Sequence, residues 1–366
     1  MDFAPDDTHE EVQGLCARVL DRETGERGDS GYDDAAWKAM GEAGLLALAV
    51  PERLGGDGLG VLAVAALLTE VGRRAAPVPA FASLALGVLP VARFGTRAQQ
   101  DDLLPVVASH NGVLTAALSE PSDPLSATPR TTVRLDGTEF VVSGTKVGVP
   151  HAGTAHRVLV TATLPDGPGV LVVDPTAEGV SLTPTRTSGG TPEFTLRLDD
   201  VRVPADALLG DDAGGRVVAG LRRFALAGAC ALGDGVLAGA LDLTVTHVGT
   251  RHQFGKPLSA FQAVAGQIAD VYVAARTLHL AALAANWRLS TGRDADADLD
   301  TAAYWLAQEA LVAVHTCHHL HGGLGVDITH PMHRFYGLAK DLTRFVGGPE
   351  HRLDLLARYE EELSVR

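Results

Sequence analysis

The hydrophobic period of this chain changes twice, and that double change restricts the folds open to it. From about Thr8 to Ser109 apolar residues recur at helical spacing, as Trp37, Met40, Ala43 and Leu45 do, and then Val64, Leu67, Leu68 and Val71. From about Gly112 to Asp211 short alternating runs take over. Phe140, Val142, Ser143 and Val147, then V-L-V-T-A-T, G-V-L-V-V-D-P and F-T-L-R-L-D-D-V-R-V-P, read as strands with Gly, Pro, Asp and Thr at the turns. From about Gly214 the helical period returns. Helices, then strands, then helices predict an α+β fold. Its parts are an N-terminal helical domain over 1–111, a middle antiparallel β domain over 112–212 and a C-terminal four-helix bundle over 213–366. The bundle's first helix, F-A-L-A-G-A-C-A-L-G-D-G-V-L-A-G-A-L-D-L-T-V-T, is rich in Ala and Gly, which lets neighbouring helices approach closely. The second runs from about Leu258 to Leu289, the third from Asp300 to Leu320, and the fourth follows G-G-P.

Composition narrows the function classes. With 366 residues, 46% of them hydrophobic, the chain can build a sizeable core. A net charge of −15 argues against non-specific binding to nucleic acid or to an anionic membrane, both of which favour basic surfaces. Cys16, Cys230 and Cys317 are far apart and show no C-x-x-C spacing, so neither a disulfide framework nor a thiolate zinc site is expected. The start, M-D-F-A-P-D-D, lacks an apolar signal core, and no apolar run reads as long enough to span a bilayer. The expected location is the cytoplasm.

Three clusters are candidates for a site. Thr250 to Gln262 reads T-R-H-Q-F-G-K-P-L-S-A-F-Q, a helix-loop-helix corner that holds donors and an aromatic ring together. The forked guanidinium of Arg251 suits a pyrophosphate, because it can bind two oxygens at once. An arginine at a helix end also simply complements the dipole. Gly55, Gly56, Gly58 and Gly60 lack a preceding strand and G-x-G-x-x-G spacing, so they read as a loop with positive-φ positions, not a phosphate cradle. His315 and His319 share a helix face near Cys317, His318 and His321. No H-E-x-x-H motif is present, and no metal site is assigned.

R-x-x-F-G-x-P followed by F-Q resembles the acyl-CoA dehydrogenase family. So do W-x-x-M-G-E-A-G-L-L, V-P-E-x-x-G-G-x-G, A-L-S-E-P, L-D-G-T-E-F-V-V-S-G-T-K, V-R-V-P-A-D-A-L-L-G and H-G-G-L-G, in that order along the chain. The resemblance covers Trp37 to Arg358. It implies FAD as cofactor, an acyl-CoA thioester as substrate, and a corner that reaches across a subunit interface to hold the ADP half of a neighbour's FAD. The residues implied are Arg251, Gln253, Phe254, Leu258 and Phe261, with His319, Gly322 and Gly323 near the adenine.

The sequence departs from the family where the chemistry lies. The family removes an α proton with a glutamate, and without a positioned base that C–H is too weak an acid to react at useful rates. Laying the family's I-Y-E-G-T-S-E-I-Q-R on R-F-V-G-G-P-E-H-R-L puts Val346 at one glutamate position. Counting back from Ala240-Leu241-Asp242 puts Ala225 at the other. Ser122-Asp123-Pro124-Leu125-Ser126 stands for the family's Gly-Ser-Asp stretch, and Val147-Gly148-Val149-Pro150 for the Trp-Ile-Thr that lies against the flavin. The resemblance is thus to the subunit without catalytic glutamate in actinobacterial α2β2 enzymes of steroid side-chain breakdown. There a second acyl-CoA dehydrogenase-like subunit supplies the base. Two alternatives stand beside this: a self-sufficient flavoenzyme using Asp234 or Glu350, and a purely structural subunit.

Overall fold

The computed structural model describes residues 7–23 and 25–364; Met1–Asp6, whose acidic sequence carries no apolar signal core, lie outside them. The first layer is helical: α1 (Asp7–Glu23), α2 (Asp34–Glu42), α3 (Val61–Arg73), α4 (Leu89–Phe94), preceded by a π-helical turn over Phe81–Val88, and α5 (Arg97–His110). Local chemistry sets their starts. The Asp33 carboxylate accepts the Ala36 N–H at 3.0 Å ahead of α2. Thr96 and Gln99 form a reciprocal capping box ahead of α5. Gly55 and Gly58 take φ of +81° and +64°, as the loop reading of the glycine cluster expects.

Seven strands follow: β1 (Val113–Ala117), β2 (Thr132–Asp136), β3 (Glu139–Pro150), β4 (Ala155–Leu164), β5 (Gly167–Val173), β6 (Val180–Thr185) and β7 (Glu193–Pro204). Their order is β1-β4-β2-β3-β7-β6, with β5 on β4. The pairs β2–β3, β3–β7, β4–β5 and β6–β7 are antiparallel. β1 and β2 instead pair with β4 in parallel, so the sheet is mixed. A side-chain period of two is common to both directions and cannot distinguish them. The segment 118–131, too long for a hairpin, frees β1 to lie alongside β4.

The C-terminal layer comprises α6 (Arg216–Thr250), the two-residue strands β8 (His252–Gln253) and β9 (Lys256–Pro257), α7 (Gln262–Ser290), α8 (Asp296–Trp305), α9 (Leu311–His321), α10 (Met332–Phe345) and α11 (Gly348–Ser364). A π turn over Leu306–Ala310 joins α8 and α9 into one rod. Four helices were expected here, and α10 is an additional one. Its buried residues Met332, Phe335, Ala339 and Leu342 recur at three- and four-residue steps, an amphipathic helical period that the sequence carries openly. The close helix approach predicted from Ala and Gly is found between α3 and α6. A Cβ added at Gly235 would lie 1.9 Å from the Thr69 carbonyl oxygen, and one at Gly239 would lie 2.1 Å from that of Arg73.

Contrary to the sequence expectation, both α6 and α7 are long and apolar enough to cross a membrane. Within α6, 89% of that apolar window is buried inside the protein, so its hydrophobicity builds the core. In α7 only 22% is buried, and Tyr272 and Val273 are 59% and 61% exposed.

Candidate functional site

The corner after α6 is built by backbone pairing. Helix α6 ends at Thr250, and Arg251 leaves it in extended conformation. The β8–β9 hairpin turns through Phe254 and Gly255, with φ of +54° and +82°. The Leu258 N–H donates to the Arg251 carbonyl at 2.9 Å and closes the loop. Phe254 is 91% exposed, and its ring stands edge-on to Phe261 at 6.3 Å. Lys256 Nζ lies 4.2 Å from the Phe261 ring centroid. Arg251 and Gln253 are exposed as well, so the donors and the aromatic ring face outward.

The H-G-G-L-G turn meets this corner through imidazoles. His247, one helical turn before Arg251, stacks on His321 at 4.5 Å, and His330 lies 4.9 Å from His321. Burial, then His330 and Arg251, hold His247 below the ordinary imidazole value. Burial likewise holds His321 down, against the Cys317 carbonyl that its Nδ1 meets at 2.8 Å. Gly322 takes φ of +57°, and a Cβ at Gly322 or Gly323 would meet nothing within 4 Å. His319 is exposed beside them. Sequence reasoning had singled out Arg251, Gln253, Phe254, Leu258, Phe261, His319, Gly322 and Gly323 from two separate motifs. The structure places both motifs at the same end of α6. It had missed the stack, whose one sequence signal is the four-residue step from His247 to Arg251.

The two positions that the resemblance sets against the family's glutamate are sealed. Val346 and Ala225 are both fully buried. The Val346 carbonyl accepts Arg352 Nε at 2.5 Å, and Arg352, itself fully buried, also donates to Asp300 at 2.7 Å. A small cavity reaches Phe345, the residue before Val346, and its lining includes Val71, Phe81, Leu232 and Leu342. Asp234 and Glu350 are not among its lining residues. Leu232 faces the cavity, and Asp234, two residues on, is turned about 200° around the helix. Its carboxylate lies 2.9 Å from His279 Nδ1 in a separate small cleft with Gln13, Thr69 and Asn286. Glu350 is exposed in the first turn of α11.

The altered β-side loops are held firmly. Glu120 and Lys146, 2% and 0% exposed, pair at 2.8 Å. Lys146 also donates to Thr161, and Glu120 accepts the backbone N–H groups of Arg130 and Thr131. Burial pushes the Glu120 carboxyl up, but the bonds from Lys146, Thr131 and Arg130 outweigh it and bring it down to about 2. Burial pushes the Lys146 ammonium down to about 8. Ser122 and Leu125 take φ of +62° and +51°, and Gly148 takes +67°. A Cβ at Gly347 would lie 2.7 Å from Pro124 Cγ, so the 122–125 loop abuts the turn after Val346. Arg344 reaches over Gly148 and pairs with Glu193 at 2.5 Å.

Comparison with known proteins adds a second line of information. The family model "Acyl-CoA dehydrogenase, N-terminal domain" matches residues 6–111, and "Acyl-CoA dehydrogenase, C-terminal domain" matches 219–359. Acyl-CoA dehydrogenase FadE28 of Mycobacterium tuberculosis is 47% identical over 359 residues, which is 97% of this chain and 98% of that protein. Among solved structures, a variant of the Tcur3481-Tcur3483 steroid ACAD is 34% identical, with a TM-score of 0.91 over 98% of this chain and 99% of the other. The ChsE4-ChsE5 complex from Mycobacterium tuberculosis is 31% identical, with a TM-score of 0.92 over 99% of both chains.

Proposed function

The chain belongs to the acyl-CoA dehydrogenase family, whose cofactor is FAD, and from that premise we propose that it is the subunit of a heteromeric dehydrogenase that carries no catalytic base. The observation that carries this reading is a contrast within one chain. Both glutamate positions are filled by fully buried apolar side chains, while the donors and ring of the corner face outward.

The residues present fit one half of an FAD site and not the other. Pro124 against Gly347, and the Arg344–Glu193 pair over Gly148, occupy the wall where a flavin ring would lie in this chain. The corner, by contrast, suits an ADP moiety held by a partner subunit. Arg251 supplies a fork for the pyrophosphate, with Gln253 as a further donor. Phe254, Leu258 and Phe261 supply apolar cover. Gly322 and Gly323, open on their outer side, allow the backbone at His319 to come close to the adenine. The exposed apolar face of α7 is where the partner would pack.

In this division of labour the partner, a second acyl-CoA dehydrogenase-like subunit in an α2β2 assembly, supplies the glutamate, most flavin contacts and much of the acyl pocket. When bound, FAD accepts the β hydride of the thioester. This chain's part is to hold the ADP end in place and keep water from it. Two of the similar structures pair different proteins, and one is described as a steroid ACAD; a steroid side-chain thioester is accordingly the substrate class proposed here.

The test concerns the two acids that could replace the missing base. In the assembled enzyme, Asp234→Asn and Glu350→Gln are each expected to leave kcat within about twofold of the parent, a change of under about 0.5 kcal/mol. Loss of a working general base costs about 100-fold or more. A fall of that size in either variant, at unchanged FAD content, would return catalysis to this chain.

A further inference from the structure

The imidazole stack at the end of α6 joins the two motifs assigned above to the ADP moiety. His247 stands one helical turn before Arg251, and His321 immediately precedes Gly322 and Gly323. The two rings stack at 4.5 Å with their planes 21° apart, and His330, from the segment ahead of α10, places a third ring 4.9 Å from His321. Three chain segments meet in this one contact. The turn also lies close on the end of α9, where a Cβ added at Gly325 would stand 2.7 Å from the His318 carbonyl oxygen and 3.3 Å from His321 Cβ.

His321, the middle ring, is only 4% exposed. Its Nδ1 lies 2.8 Å from the Cys317 carbonyl, which can only accept, so Nδ1 carries the proton of the neutral ring. Nε2 is buried and has no hydrogen-bond partner among the described residues. A second proton there would leave a buried, charged N–H without an acceptor, which costs more than an idle lone pair. The surroundings add to that cost. His247 and His330 flank the ring, His318 acts on it from α9, and Arg251 acts on His247 from the corner. On the α10 side, His333 Nδ1 meets the His330 carbonyl at 2.7 Å and the Tyr336 ring stacks on His318 at 5.5 Å. The nearby carboxylate, Asp327, interacts with His330 and already accepts the N–H and hydroxyl of Thr329.

We propose that His321 is a positioning residue for the ADP site: its neutral ring clasps the H-G-G-L-G turn to the last turns of α6, and protonation of the stack releases the turn and weakens FAD binding. This rests on the reading that the corner binds ADP. Burial holds His321 below the ordinary imidazole value of 6.5, outweighing the help that the Cys317 carbonyl gives a charged ring. Burial, then His330 and Arg251, does the same for His247. The folded chain therefore binds fewer protons than the unfolded one just below pH 6.5, so the stabilisation is complete above that value and is lost as pH falls below it. A pyrophosphate on Arg251 opposes this in part, by offsetting the guanidinium's repulsion of His247. That offset acts through solvent at an exposed corner, where charges are screened, whereas His321 lies in the interior.

The experiment is fluorescence titration of the apo-complex with FAD from pH 7.5 to 5.0. One coupled proton changes affinity by about tenfold per pH unit at most, and the parent's affinity is expected to fall at least about fivefold over this range. His321→Phe keeps a stacking ring that takes no proton, and is expected to hold the change under about twofold. His247→Phe, at a half-buried position that is less demanding of shape, is expected to reduce the fall as well. His315→Asn, exposed on α9 outside the stack, is expected to keep the parent's fall. Denaturation of the full chain alone gives a readout without flavin. Between pH 7.5 and 5.5, where a free imidazole charges, the parent's unfolding constant is expected to rise about fivefold more than that of His321→Phe. The proposal is overturned by a parent affinity that stays flat or rises with acid, by an undiminished fall in both Phe variants, by an equal reduction in His315→Asn, or by equal acid sensitivity of parent and His321→Phe in denaturation. An FAD affinity untouched by Arg251→Ala would instead sink the functional reading, so the two fail separately.

Discussion

Replacing Arg251 with alanine is expected to lower the FAD affinity of the assembled enzyme by about 100-fold while leaving this chain's own stability almost untouched. Hydrogen bonds to charged groups contribute about 1.5–3 kcal/mol each, and a guanidinium fork makes two of them to a pyrophosphate. Each 1.4 kcal/mol is a factor of about ten. Arg251 is exposed, and its side chain makes no hydrogen bond or ion pair among the described residues, so folding gains little from it. Arg251→Lys is expected to recover only part of the loss, because an ammonium is a point charge without the fork. Fluorescence titration of the apo-complex with FAD measures both. Unchanged FAD affinity in Arg251→Ala would favour the purely structural subunit.

Lys146→Met is expected to have the largest effect on stability, a loss of about 3–5 kcal/mol. Removing one member of a buried pair leaves the other charge uncompensated in a low-dielectric interior. Here Glu120 would lose the ammonium while still holding Thr131 and the Arg130 N–H. The pH dependence has a definite sign. Glu120 titrates near 2 in the folded chain against an ordinary 4.5, so its contribution is complete above about 4.5 and is lost as pH falls from there towards 2. Lys146 works on the other side. Lowered to about 8 from 10.5, it gives up its proton in the folded chain first, and stability from this group rises with pH between those values. Chemical denaturation of parent and variant from pH 3 to 7 tests the carboxylate part. The variant's acid sensitivity in that range is expected to shrink, and an undiminished slope would contradict the assignment to this pair.

The sequence was informative where local pattern and covalent spacing decide the outcome. The two changes of period announced the layers, and the Ala and Gly of α6 announced a close approach to a neighbouring helix, found with α3. What stayed hidden depends on contacts between distant segments. Strand direction was invisible because alternation is the same for both. The Asp234–His279 contact joins residues 45 apart, and the Arg344–Glu193 pair joins residues 151 apart. No window of sequence brings such partners together. His151 shows the same limit, since a lone histidine after a proline carries no sign that the fold will bury it without a partner for Nδ1.

The most direct measurement is the visible absorbance of bound flavin, on this chain expressed alone and then co-expressed with its dehydrogenase-like partner. The shared-site account predicts a colourless chain alone and a yellow, stable complex with one FAD per pair of unlike subunits. A yellow and active protein from this chain alone would contradict it and return the search for a base to Asp234 and Glu350.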